Sequence, residues 1–302
     1  MRNKFIFGIL LTLLFTNILT LALWLWSPQS KNTSEGFSVD INPDAPVAKV
    51  NDTKITYQQW LTYLENKYGK KALKEMINKD VTNQLADQEN LSINEGVVQL
   101  ELSLLATMEG ILTEEAIDQK EQRLEEEVTN RLYLEELVTQ DILVSEEEIE
   151  SYYNQYSEQY HFSPSIQLSH ITVEDQATAQ KIISELDGGT SFSTLARQYT
   201  TDEETRDTGG YLGYFTSSSS YLPSGYFEYA QEMNEHTYSE PIQTEDGVAI
   251  IYLHRYLPEV DLSYDQLHAH IRREIALEKM EDVPQATSLW NQLEVDWVYK
   301  NK

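Results

Sequence analysis

The sequence predicts an α+β protein: one apolar N-terminal helix, helices on both sides of an insert, and an insert that mixes strands with helices. Three observations predict it. An apolar run fills residues 5–26. Apolar residues then recur at three- and four-residue spacing up to about residue 160 and again after 258. Between 164 and 257 the spacing changes to alternation, interrupted by short helices and Gly-containing turns. The expected division is 1–27, a cytoplasmic N-terminus and transmembrane anchor; 28–45, a linker; 46–163, the first part of a helical lobe; 164–257, the insert; and 258–302, the second part of the lobe.

The apolar run would span roughly 33 Å as a helix, enough for a bilayer core. Arg2 and Lys4 precede it and place its N-terminus in the cytoplasm. A cleaved signal peptide is the competing reading, but such segments end in small residues. This one ends Leu-Trp-Leu-Trp-Ser-Pro, which favours an uncleaved anchor with Trp24 and Trp26 at the far interface. Residues beyond the Ser-, Asn-, Asp- and Pro-rich linker are then expected outside the cytoplasm, on a bacterial cell membrane.

Residues 47–55 predict a hairpin turning at Asn51-Asp52, and residues 56–59 a capping box. Trp60, Leu64 and Tyr68 start a helix. Leu73, Met76, Ile77, Val81 and Leu85 form the next stripe, and Leu100, Leu104 and Leu105 lie in another helix. Residues 113–139 are Glu-rich, with Ile117, Leu124, Val128 and Leu132 on one face and a charged face expected in solvent. Ser145 and Glu148 form a second capping box, opening a helix with Ile149, Tyr152, Tyr153, Tyr156 and Tyr160 inward. After residue 258, Ser263 and Gln266 cap a helix striped by Leu267, Ile271 and Ile275. His268 and His270 stand two apart and cannot share a metal from one helix.

In the insert, residues 166–173 alternate as a strand. A helix follows and stops at Gly188-Gly189, and Phe192, Leu195, Ala196 and Tyr199 mark another. Residues 217–220 are four serines in a flexible loop with no base nearby, so none is a nucleophile candidate. Residues 227–230 predict a short helix. Residues 239–244 and 248–256 predict two strands joined by Glu245-Asp246-Gly247.

Composition limits the function. The chain has 302 residues and 40% are hydrophobic, so a core can be buried and global disorder is excluded. It has no cysteine, which removes thiolate chemistry, disulfides and lipidation of an N-terminal Cys. With 22 basic and 50 acidic residues the formal net charge is −28, so no nucleic-acid partner is expected. Neither the zinc-binding H-E-x-x-H nor a phosphate-cradling Gly loop occurs, and no metal or cofactor is expected.

Leu168-Ser-His-Ile171, residues 189–196, Tyr199-Thr-Thr-Asp202, residues 209–215, residues 227–230, and Ser239-Glu-Pro241 through Thr244 and Gly247 occur in that order over about 90 residues. Together they resemble the parvulin-type peptidyl-prolyl cis-trans isomerases. The flanks resemble the helical chaperone lobe of membrane-associated foldases of the PrsA and SurA type, in which a last helical segment returns to the lobe after the isomerase insert. The resemblance implies an antiparallel sheet with surrounding helices for 164–257. It further implies isomerisation of X-Pro bonds in unfolded or partly folded secreted chains.

The resemblance places His170, Asp202 and Thr244 at the twisting bond as catalytic residues. Leu212, Phe215, Leu222 and Phe227 would form the cup for the proline ring. For each, a purely structural role stands beside the functional one: a core histidine, a turn-capping Asp, ordinary core. Active parvulins usually carry a second His two residues after the Gly matched by Gly247; here that position is Ala249. The loop from Phe215 to Phe227 is longer than usual and lacks the family's Met, with Leu222 the candidate to replace it. The insert has four basic residues against fourteen acidic ones, which excludes phosphate-directed recognition. Two functions remain open at this level: an isomerase and foldase, or a non-catalytic anchored chaperone whose parvulin-like domain only binds peptide.

Overall fold

The computed structural model describes residues 42–300, apart from 246, 282 and 284. The expected anchor at 5–26 and most of the expected linker lie outside the described residues. Within the described residues no helix is long and apolar enough to cross a membrane. The chain divides into two units, residues 1–71 and 72–302.

The first unit holds a β-hairpin, β1 (Pro46–Val50) and β2 (Thr53–Thr56), paired antiparallel. Asn51 turns it with a positive φ of 51°, a conformation that Asn tolerates better than most residues. The capping box holds: Thr56 accepts from the Gln59 amide and Gln59 accepts from the Thr56 amide, opening α1 (Tyr57–Leu64). The expected Trp60–Leu64–Tyr68 stripe does not form, because Trp60 and Tyr68 are exposed. A π-helical turn over Glu65–Gly69 follows α1 and breaks the four-residue register between Leu64 and Tyr68.

The second unit begins within α2 (Lys70–Glu89). Val81 and Leu85 are buried against Leu137 and Leu289, whereas Met76, assigned to the same stripe, is exposed. The stripe is buried only where a partner reaches it. Next come α3 (Glu95–Ala106), α4 (Glu114–Thr139), α5 (Glu146–Tyr156) and α10 (Tyr264–Glu278). Val97, Leu100, Val128, Leu132, Ile149, Leu267 and Ile271 from these four helices share one core. Leu104 points away from it and is exposed.

Both further capping boxes, Ser145 with Glu148 and Ser263 with Gln266, are present. Tyr156 is exposed rather than inward. The helix ends there, and a 3₁₀ turn over Ser157–Tyr160 redirects the chain so that Tyr160 is buried. Nor is the charged face of α4 simply solvated. Arg272 meets Glu136 at 2.7 Å, and the buried Arg273 lies 3.4 Å from Glu135 and 3.6 Å from Glu136. His268 bonds Glu146, and His270 meets Arg273 and Glu274, so the two histidines do have different partners.

Two-residue strands β3 (His161–Phe162) and β9 (Val260–Asp261) pair antiparallel. They bring the chain back beside itself just outside residues 164–257. Between them runs an antiparallel sheet of β4 (Ser165–Val173), β5 (Tyr211–Thr216), β6 (Thr237–Tyr238), β7 (Ile242–Thr244) and β8 (Gly247–Leu257). Its order is β5-β4-β8-β6, with β7 also pairing β8. The strand expected to begin at 239 starts only at Ile242.

As the two central strands, β4 and β8 are buried on both faces. One face packs against α6 (Gln176–Asp187) and α7 (Phe192–Tyr199) through Ile171, Val173, Ile182, Leu195 and Ile250. The other packs Ile166, Leu168, Ile251 and Leu253 against Tyr226 and Phe227 of α9 (Tyr226–Ala230).

Candidate active site

His170 lies on β4, opposite Ile251 of β8. Its amide donates to the Gly210 carbonyl at 2.8 Å. Gly210 has a φ of 82°, and a Cβ there would collide with the His170 carbonyl oxygen. A glycine is therefore required where β5 approaches the backbone of the site histidine.

Asp202 caps the short helix α8 (Glu203–Arg206), accepting from the Glu204 amide at 3.0 Å through Oδ1. The capping role foreseen as the structural alternative is real, and it uses only that oxygen. Oδ2 lies 2.8 Å from His170 Nε2 and accepts from the Thr205 hydroxyl at 2.6 Å. The loop is tied to β4 next to His170: Thr201 N donates to the Thr172 carbonyl at 2.8 Å, and the Thr172 amide donates to Thr200 Oγ1 at 3.1 Å. Burial works against the Asp202 carboxylate. Hydrogen bonds from Thr205, His170 and the Glu204 amide outweigh it and hold the carboxyl below its usual range.

An ionised Asp202 can only accept, so His170 carries its proton on Nε2. In the neutral imidazole Nδ1 then keeps a lone pair. It lies 3.1 Å from the phenol oxygen of Tyr226, whose ring meets the imidazole edge to face. Burial and the Asp202 charge push the Tyr226 phenol well above its ordinary value, so it keeps its proton and can donate. Tyr226 and Thr205 are absent from the sequence reading. The one signal for Tyr226 was Ala249, a small residue where a second His is usual in the parvulin family.

Leu212 and Phe215 from β5, Leu222 from the following loop and Phe227 from α9 come together in one cluster with Tyr226, Ala249, Ile251 and Leu253. Met233 joins them and was not foreseen. Leu212, Phe215 and Leu222 are half-buried, leaving apolar surface for contact, while Phe227 is buried. Thr244 does not join the polar group: its hydroxyl donates to the Gly247 carbonyl at 3.1 Å, inside the β7–β8 turn. Ala249 is fully buried, opposite Thr172 of β4 and Ile242 of β7, one diagonal from His170.

The other sheet face carries a cavity of about 600 Å³ lined by Phe192, Tyr238, Tyr252, His236 and His254, among others. It touches neither His170 nor Asp202. Among the described residues no group of three His, Asp or Glu side chains could hold a metal.

The PPIC-type PPIase domain model matches residues 144–268. The Bacillus subtilis protein YacD, provisionally named a peptidyl-prolyl cis-trans isomerase, is 33% identical over 303 residues, covering 100% of this chain and 99% of that one. Foldase protein PrsA 2 of Bacillus cereus is 27% identical over 241 residues, covering 80% and 79% of the two chains. A crystal structure of PrsA from Bacillus cereus is matched over 86% of this chain and 96% of its own, at 24% identity and a TM-score of 0.32. With a relative that similar over its full length and a family model over the sheet and its flanks, the chain belongs to the PPIC-type, or parvulin-type, peptidyl-prolyl cis-trans isomerases.

Proposed function

We propose that this protein isomerises X-Pro bonds in unfolded polypeptides and acts as a foldase on them, with turnover in residues 164–257 and client holding in the flanking helices. The reaction breaks no covalent bond. Its barrier of about 18–20 kcal/mol is the partial double bond of the amide. A catalyst needs an apolar seat for the proline ring and polar groups that suit the twisted amide better than the planar one. Leu212, Phe215, Leu222 and Phe227 form the seat, His170 and Asp202 supply the polar groups, and Thr244 shapes the β7–β8 turn beside them.

The observation that carries this reading is Tyr226. Its ring belongs to the apolar cluster and its hydroxyl bonds His170, so seat and polar pair are contiguous. The chain needs no cofactor for this chemistry. A membrane anchor at residues 5–26, with the bulk of the chain outside the cytoplasm, would present the site to secreted clients.

A non-catalytic peptide-binding domain is the second reading, and the buried Ala249 in place of a second imidazole favours it. A protease-coupled X-Pro assay on the full chain separates the two. The isomerase reading expects acceleration by wild type and a loss of about 10–10³-fold in kcat/KM for His170→Ala. Peptide binding without acceleration, in protein that melts cooperatively, would establish the second reading instead.

A further inference from the structure

We propose that Tyr226 is the positioning residue of this site, its phenol holding the His170 ring from the side where Ala249 leaves no partner. The inference rests on the isomerase reading for its kinetic arm, but its geometric arm stands without turnover.

His170 is buried, and both of its ring nitrogens must find partners. The carboxylate of Asp202 takes the Nε2 proton at 2.8 Å. In the neutral imidazole only a donor can then satisfy Nδ1, and the Tyr226 hydroxyl is 3.1 Å away. The result is a directed chain: Tyr226 O–H to His170 Nδ1, then His170 Nε2–H to Asp202 Oδ2. Thr205 O–H, at 2.6 Å, donates to the same oxygen. Each donor faces an acceptor, so one tautomer and one ring orientation are selected.

The fold makes Tyr226 hard to displace. Gly225, with a φ of 86°, turns the chain into α9, and the first residue of that helix is 1% exposed. Its ring packs in the same cluster as Ala249. A phenol arriving from the helix and a methyl on β8 are two halves of one arrangement: the small residue at 249 leaves room for the large one at 226.

The test uses the full chain labelled with ¹⁵N-histidine, with the His170 signals identified by their loss in His170→Ala. In wild type, Nε2 should appear protonated, and Nδ1 should resonate as a hydrogen-bond acceptor, away from the position of a free lone pair. In Tyr226→Phe the Nδ1 resonance should move toward that position, kcat should fall about tenfold, and KM should stay within twofold. In Tyr226→Phe/Ala249→His, an imidazole on β8 replaces the lost partner and should recover part of kcat.

A raised KM with unchanged kcat would make Tyr226 a lining residue of the proline seat and overturn the proposal. An unmoved Nδ1 signal in Tyr226→Phe would do the same. Should Tyr226→Phe fail to melt cooperatively, or wild type show no turnover, the wild-type spectrum decides alone. A free lone pair on Nδ1 overturns the proposal, and an accepting one sustains it.

Discussion

Two buried histidines on neighbouring strands meet different surroundings. His170 faces a carboxylate and a phenol. His254, on the other sheet face, has Ser169 Oγ at 2.7 Å and no carboxylate. Burial, with the nearby His236, pushes His254 down to about 4. Unfolded, it titrates near 6.5. As pH falls below about 6.5 the unfolded chain takes up a proton that the folded chain refuses, so stability is lost progressively until about pH 4. The expected loss is roughly 2–4 kcal/mol. Asp202 has the same sign and a lower window, because its folded value too lies below its unfolded one. Its contribution is complete above its unfolded value of about 3.9 and disappears as pH falls through the lower folded one. Thermal melts between pH 7 and 4 should show a decline that His254→Gln flattens; an equal decline in that variant would place the effect elsewhere.

At the scale of elements, the approach of β5 to β4 is the joint on which the site depends. Gly210 and Gly213 flank it, and both have positive φ, 82° and 109°. A Cβ at Gly213 meets nothing within 4 Å, while one at Gly210 runs into the His170 carbonyl and lies 3.2 Å from the Ala196 methyl. Gly213→Ala should therefore cost only backbone strain, about 1–3 kcal/mol. Gly210→Ala adds a backbone collision that no side-chain rotation relieves, and should cost more and depress activity as well. Urea denaturation of both variants checks this; equal losses would show that conformational strain alone explains the pair. The helix ends were readable because capping is local: Ser145 with Glu148 and Ser263 with Gln266 declare themselves within four residues. The exposure of Tyr156, Met76 and Trp60 was not readable, because it depends on whether a distant surface arrives to cover them.

For the whole molecule, a net charge of −28 sits on a chain whose first apolar stretch is bounded by Arg2 and Lys4 on one side and Trp24 and Trp26 on the other. An acidic body is repelled by anionic headgroups, so the hydrophobic segment would have to supply the attachment. The segment should remain on the protein, because no small-residue cleavage site follows it. Mass spectrometry of protein extracted from native membranes should find residues 5–26 intact. A mature N-terminus between residues 27 and 35 would identify the segment as a cleaved signal.

The sequence by itself determined the order of elements, the parvulin-type insert, and the residues His170, Asp202, Leu212, Phe215 and Phe227 that the structure gathers on one side of the sheet. Those signals are periodicities, caps and an ordered set of short motifs, all carried by neighbours along the chain. Tertiary structure decided the rest. It left the Thr244 hydroxyl inside a turn, brought Met233 to the apolar cluster beside the expected Leu222, buried Arg273 between Glu135 and Glu136, and delivered Tyr226 to a ring 56 positions away in the chain. The physical reason is common to all four. A side chain's hydrogen-bond partner or apolar neighbour is chosen by which strands and helices pack together, and a buried donor or acceptor takes whatever complementary group that packing brings within about 3 Å.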